Sequence, residues 1–176
     1  MKRTVRVASL GALVVLVAFS LLLVTRHPVT EATSTPSPLL GKMAPPLKGH
    51  ELGGGQFNLT QHRGQVVVVN YWASWCVACR QEAPALSTFA WQERHRGVVL
   101  IGVVFNDTLS SALAFQHLYG SLYRSLVDPG GIMANSYWVS APPTTFVIDP
   151  LGRVAAELIG PVNAHQLESV VRRVQN

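Results

Sequence analysis

Cys76 and Cys79 are the only cysteines in the chain, and two residues separate them in Trp75-Cys76-Val77-Ala78-Cys79-Arg80. They follow the run Val66-Val67-Val68-Val69-Asn70-Tyr71-Trp72. Four consecutive valines read as a strand buried on both faces, and helical spacing begins at Cys76, so the pair sits where a strand hands over to a helix. At a first helical turn Cys76 meets unpaired backbone N–H groups and the positive end of the helix dipole, which favour its thiolate. Cys79, one turn on along the same face, is close enough to form a disulfide and is expected to be the less exposed of the two. The chemistry available is two-electron thiol–disulfide exchange, with Cys76 attacking and Cys79 resolving the mixed disulfide.

Two inert uses of the pair are weaker fits. A structural zinc site needs four ligands; there is no third cysteine, and His27, His50, His62, His95, His117 and His165 are scattered without an H-x-x-x-H pair. No metal and no organic cofactor are therefore expected, the redox-active disulfide itself being the reactive group. A purely structural disulfide over so short a loop constrains the unfolded chain little. Gly53-Gly54-Gly55 has no Lys-Ser/Thr after it and is a turn signal, not a phosphate cradle.

The elements that must position the cysteines can be read along the chain. Leu47 to Leu59 suggests an N-terminal hairpin around the three glycines, and Val66 to Trp72 a central strand. The helix from Cys76 to about His95 contains Pro84, where a kink is expected. Val98 to Phe105 reads as a second buried strand, and Thr108 to Tyr119 as a helix whose Leu109, Leu113 and Leu118 are assigned to the core. Tyr123 to Val127 is an edge strand, Asp128 to Gly131 a turn, and Ile132 to Tyr137 a short helix. Thr145 to Asp149 and Val154 to Gly160 form a hairpin through Pro150-Leu151-Gly152, and Asn163 opens the last helix. The order implies an α/β fold with a mixed sheet and helices on both faces.

Lys2, Arg3 and Arg6 precede Val7 to Val24, eighteen residues without a charge, and Arg26 follows. The run is long enough to span a bilayer and lacks a good small-x-small cleavage pattern, so residues 1–25 read as a cytoplasmic stub with one uncleaved transmembrane helix. The basic excess before the span places the N-terminus in the cytoplasm and the rest in an oxidising compartment. Residues 26–38, rich in Pro, Ser and Thr, read as a tether, and 39–176 as the folded domain. The net charge of +5 belongs mostly to the anchor, since ten Lys and Arg stand against eight Asp and Glu from Leu39 onward. Arg94-His95-Arg96 and Arg172-Arg173 are too short for a nucleic-acid stripe, and nucleic acid is not expected as a partner.

Ala141-Pro142-Pro143-Thr144-Thr145-Phe146-Val147-Ile148-Asp149 is the second informative stretch. Together with Val69-Asn70-Tyr71-Trp72-Ala73-Ser74-Trp75-Cys76, Cys79-Arg80, Glu82 and Pro84, it makes the chain from Leu39 onward resemble the membrane-anchored thioredoxin-like thiol:disulfide interchange proteins of cytochrome c maturation, the DsbE, ResA and TlpA group. The resemblance implies a thioredoxin-like fold and a cis-proline at Pro143 facing the cysteines. It implies that Trp75, Pro142, Pro143 and Thr144 contribute to substrate binding, although Pro142 has no N–H to donate. Trp72 and Trp75 would shield the disulfide. Glu82 matches an acidic residue of the family, one turn beyond Cys79, and is a candidate to pass a proton during exchange; an exposed Glu paired with a neighbouring Arg is the bland alternative. Asn70 stands where general thioredoxins carry a buried acid. Val77-Ala78 departs from the family's proline-containing dipeptides, so the family's redox potential is not carried over.

The function so implied is reduction of protein disulfides, with the C-x-x-C-H segment of apocytochrome c as substrate and a membrane thiol carrier as electron donor. A disulfide-forming oxidase of the same fold is an alternative, and a holdase or copper chaperone using the cysteines as soft ligands is another.

Overall fold

A computed structural model describes residues 15–20, 32–34, 37–119 and 123–175. The chain divides into two compact units, Met1–Thr30 and Glu31–Asn176. In the first, residues 15–20 are helical and exposed. Among the described residues no helix is long and apolar enough to cross a membrane. The remainder of the Val7–Val24 run, and residues 26–31, 35 and 36 of the tether, lie outside the described residues.

The second unit contains, in chain order, β1 (Thr33–Ser34), β2 (Lys48–His50), β3 (Gln56–Asn58), β4 (Val66–Trp72), α1 (Val77–Glu93), β5 (Val98–Val104), α2 (Leu109–Tyr119), β6 (Arg124–Val127), α3 (Ile132–Ser136), β7 (Thr144–Ile148), β8 (Val154–Ile159) and α4 (Ala164–Gln175). Six strands form one sheet in the order β1-β8-β7-β4-β5-β6. The sheet is mixed: β4, β5 and β6 run parallel, while β7 is antiparallel to both β4 and β8.

Every residue of β4 is buried, as its unbroken apolar run requires of a strand covered on both faces. Val67, Val69 and Tyr71 pack with Ile101, Val103 and Phe146 on one side. Val66 and Val68 pack on the other against Leu86 and Phe89 of α1 and Leu167 and Val171 of α4. Because the β4-to-β5 and β5-to-β6 crossovers advance in the same direction, right-handed connections put α1 and α2 on the same face. There Trp72, Cys79, Ala83, Ala112 and Phe115 share one apolar cluster. The opposite face is covered by the short α3, the hairpin and the chain around Leu47. Helices do occupy both faces, but the three long ones share one.

The hairpin forms as its glycines suggest, with β2 and β3 making a separate two-stranded sheet. It also closes the edge at β6: Leu52 N donates to Ser125 O at 2.7 Å, and Arg124 pairs with Glu51 at 2.8 Å. The opposite edge differs from expectation. Thr33 and Ser34, within the stretch read as tether, pair with Ile159 and Leu158, and Ala32 N donates to Pro161 O at 3.0 Å. This short strand covers a length of β8 that would otherwise present bare backbone groups. The second correction concerns α2. Leu109 and Leu118 are exposed, at 54% and 76%, while Ala112 and Phe115 are buried. Phe115 stacks on Trp72 with ring centroids 4.6 Å apart, and Tyr119 lies 4.6 Å from Phe115. That aromatic stack fixes the rotation of the helix and turns two of the leucines to solvent. The helix α1 runs unbroken through Pro84.

Gly102 lies between Asn70 and Ser125 in the register, and the Trp72 indole crosses it to donate to Ser125 Oγ at 3.1 Å. A Cβ on residue 102 would stand 2.6 Å from Trp72 Nε1. Gly102→Ala is therefore expected to destabilise the fold by about 1–3 kcal/mol, seen as a lower urea midpoint with an unchanged m-value.

Candidate active site

The β4 strand ends at Trp72, and the chain turns through Ala73-Ser74-Trp75 into α1 with Cys76 as N-cap. Cys76 Sγ accepts from the Cys79 N–H at 3.0 Å, so one of the otherwise unpaired N–H groups of the helix start points at the sulfur. The two cysteines form a disulfide with Cα atoms 5.2 Å apart. Cys76 is 6% and Cys79 2% exposed, the order the sequence suggests.

Three side chains brace this turn. The Ser74 N–H donates to Asp107 Oδ2 at 2.6 Å, and Arg80 grips the Ser74 carbonyl through Nε at 3.1 Å and Nη2 at 2.9 Å. Trp75 donates from its indole to Asn106 O at 3.1 Å and is half exposed, unlike the buried Trp72. Asn106 and Asp107 were not singled out in the sequence. The signal was their position, directly after the carboxyl end of the strand parallel to β4, where α/β sheets gather their sites. A cleft of about 570 Å³ opens there, lined by Phe105, Asn106, Asp107, Asp128, Asn135 and Val139 among others. Trp138, between the last two, is 72% exposed at φ 60°.

The Pro142-Pro143 peptide is cis. Thr144 pairs with Tyr71 across β4 and β7, so Pro143 lies at the end of β4 from which the cysteine turn departs. The Pro143 carbonyl accepts from Gly160 N at 3.0 Å. Thr144 is buried, and its hydroxyl donates to Ala141 O at 2.8 Å, inside the loop.

Glu82 is buried at 2% exposure, in the sheet-facing stripe of α1 that also holds Cys79, Ala83 and Leu86. It is not the exposed residue of the alternative reading, and among the described residues it makes no ion pair with an Arg. Glu82 Oε1 accepts from Asn70 Nδ2 at 2.9 Å, and Oε2 accepts from the Val162 N–H at 2.9 Å. Asn70 also donates to Thr145 Oγ1 at 3.0 Å, and its own Oδ1 has no partner among the described residues. An ionised carboxylate can only be met by the amide's N–H face, so the orphaned oxygen is the cost of that arrangement, on the order of 1–3 kcal/mol. Burial pushes the Glu82 carboxyl up to about 7, against the pull of the Val162 and Asn70 hydrogen bonds. Asn70 thus does not replace a buried acid; it holds one supplied from the helix. Among the described residues no group of three or more His, Cys, Asp and Glu side chains is placed to hold a metal ion.

The sign of the Glu82 shift sets a pH dependence. With 4.5 as the unperturbed value and about 7 in the folded protein, the folded state binds this proton more tightly. Its stabilising contribution is complete below pH 4.5 and is lost as pH rises through 7, a loss on the order of 3 kcal/mol. The oxidised protein should therefore show a falling denaturant midpoint across this window, and Glu82→Gln should flatten that part of the curve. An unchanged slope in the variant would assign the dependence to another group.

Residues 40–157 match the AhpC/TSA family. The chain is 37% identical over 147 residues to the thiol:disulfide interchange protein DsbE of Allochromatium vinosum, covering 80% of each chain. It is 36% identical over 135 residues to the thiol:disulfide interchange protein HelX of Rhodobacter capsulatus, covering 75% of this chain and 74% of that one. Among solved structures, a putative thiol:disulfide interchange protein DsbE from Chlorobium tepidum superposes with a TM-score of 0.72 at 27% identity, over 78% of this chain and 98% of that one.

Proposed function

This chain belongs to the AhpC/TSA family and is a thiol:disulfide oxidoreductase of the DsbE and ResA type carrying the Cys76–Cys79 pair; from that premise we propose that it reduces protein disulfides outside the cytoplasm. The observation that carries the exchange chemistry is the Cys76–Cys79 disulfide at the start of α1, with Glu82 buried one helical turn beyond Cys79 and its carboxyl raised to about 7, and the resemblance to the cytochrome c maturation group supports the reducing direction. A base poised near neutral pH beside the resolving cysteine suits a protein that must deprotonate a buried thiol.

In the proposed cycle the Cys76 thiolate, favoured at the helix start, attacks one sulfur of a substrate disulfide. A Cys76–substrate disulfide forms, the substrate S–S bond breaks, and the first substrate sulfur leaves as a thiolate that takes a proton. Cys79 then gives its proton to Glu82 and attacks Cys76 Sγ. The mixed disulfide breaks, the second substrate thiolate leaves, and the Cys76–Cys79 disulfide closes. Two electrons have passed to the substrate, and a dithiol donor must return them. Trp75, half exposed beside the turn, and the Pro142-Pro143-Thr144 segment at the end of β4 form the surface on which a substrate chain would lie. Pro142 offers it a carbonyl but no N–H, and Thr144 acts by shaping the loop.

The apolar run Val7–Val24 supports reading the chain as a single-span membrane protein with its N-terminus in the cytoplasm, the stretch from Arg26 up to the domain's first strand at Thr33 as the connecting segment and the domain on the extracytoplasmic side. The resemblance to the cytochrome c maturation group supports the C-x-x-C-H segment of apocytochrome c as substrate and a membrane thiol carrier as donor.

An oxidised synthetic peptide bearing Cys-X-X-Cys-His tests the cycle. Cys76→Ala should abolish exchange, and Cys79→Ala should accumulate a covalent adduct whose mass equals protein plus peptide and which reductant releases. Full turnover in Cys79→Ala would contradict the two-cysteine mechanism.

A further inference from the structure

The hydrogen bonds around Glu82 close a ring, and the ring passes through the proline segment. Starting from the carboxylate, Oε2 holds the Val162 N–H at 2.9 Å. Two residues back, Gly160 N donates to Pro143 O at 3.0 Å. Two residues beyond Pro143, Thr145 Oγ1 accepts from Asn70 Nδ2 at 3.0 Å, and Asn70 donates again to Glu82 Oε1 at 2.9 Å. One buried carboxylate is thus tied, through its two oxygens, to both ends of Pro143–Thr145.

Each link is fixed by its surroundings. Asn70 and Thr145 face each other in the β4–β7 register, so their side chains lie on the same face of the sheet. Val162 is 2% exposed and belongs to the apolar cluster between α1 and α4, while the Pro161 carbonyl between the two donors accepts from Ala32 N at 3.0 Å. The ring also lies between two apolar clusters. Val68, Leu86 and Phe89 belong to one, and Trp72, Cys79 and Ala83 to the other, with Asn70 between Val68 and Trp72 on β4 and Glu82 one turn from both Cys79 and Leu86 on α1. Apolar contacts alone would let this junction slide, whereas four directional bonds give it one register.

From this we infer that Asn70, Thr145 and the Gly160–Val162 loop are positioning residues that hold the Pro142-Pro143 segment in its substrate-receiving place, with the Glu82 carboxylate as their common anchor. The inference rests on the proposed function, since it assigns that segment to substrate binding. Glu82 then has two uses: its proton serves the Cys79 thiol, and its oxygens hold the surface that the substrate meets. Specificity for an extended chain depends on a carboxylate the chain never touches.

The ring can be cut far from the sulfur chemistry. Thr145→Val keeps the side-chain shape and removes the acceptor, leaving both Glu82 hydrogen bonds in place. With the full-length protein and the oxidised Cys-X-X-Cys-His peptide, its KM should rise roughly three- to tenfold, the size of one hydrogen bond's net contribution, while kcat stays within about twofold. Thr145→Ser, which restores the hydroxyl, should return KM to the wild-type value. Asn70→Ser, too short to bridge Glu82 and Thr145, should raise KM as well, and combining it with Thr145→Val should add little, because both cut the same link. If Thr145→Val does not fold, the Asn70→Ser and Thr145→Ser pair carries the same test. Wild-type KM in a folded ring variant, or a KM shift that Thr145→Ser does not reverse, overturns this inference alone. Failure of the wild-type protein to exchange with the peptide overturns the functional reading and this one together.

Discussion

A strand with no solvent-facing residue on either side governs this fold. Because β4 is buried throughout, it must sit mid-sheet with both faces covered, and its chain must leave the sheet abruptly at one end. The helix that follows starts within a few residues of that exit and packs back along the strand. This geometry puts Cys76 at the helix start, where backbone N–H groups stand without carbonyl partners. The Cys79 N–H directed at Cys76 Sγ is the visible consequence. The neighbouring parallel strand then delivers Asn106 and Asp107 to the same end, and they pin the turn through Trp75 and Ser74.

The same face holds an energetic exception. Between its apolar clusters stands Glu82, placed there by the helical repeat that also buries Cys79 and Leu86. A carboxylate so situated is costly unless its oxygens are satisfied. Asn70 and the Val162 N–H satisfy them, and Asn70 leaves its own oxygen bare in doing so. Burial nonetheless prevails over both bonds and holds the group near neutrality. The outcome is a carboxyl whose proton is held up to ordinary pH where most of the surroundings are hydrocarbon, as the proposed resolution step by Cys79 requires.

Much of this was legible in advance, for reasons that can be named. Four valines and a turn signal mark a central strand regardless of context, and Cys-x-x-Cys at its end is informative because no other cysteine competes. The cis peptide at Pro143 followed from resemblance, not from composition. Other features depended on contacts between distant parts of the chain. Thr33 and Ser34 have the composition of a linker and become a strand only because β8 offers them an edge. The α2 helix carries apolar residues on several sides, so its leucines could not declare the buried face; Trp72, supplied from another strand, selects Phe115 instead. Glu82 was ambiguous for the same reason. Nothing in α1 alone distinguishes a buried acid from an exposed one, and the donors that make burial tolerable are Asn70, twelve residues earlier, and a backbone N–H eighty residues later.

The proposed function requires that this dithiol give electrons rather than take them. Its most direct test is the equilibrium reduction potential of the Cys76–Cys79 couple in the full-length protein, titrated against glutathione or dithiothreitol buffers with the thiol state read by alkylation. A value more negative than about −200 mV is predicted for a reductant. A value near about −120 mV, the range of strong disulfide-forming oxidants, would contradict the account.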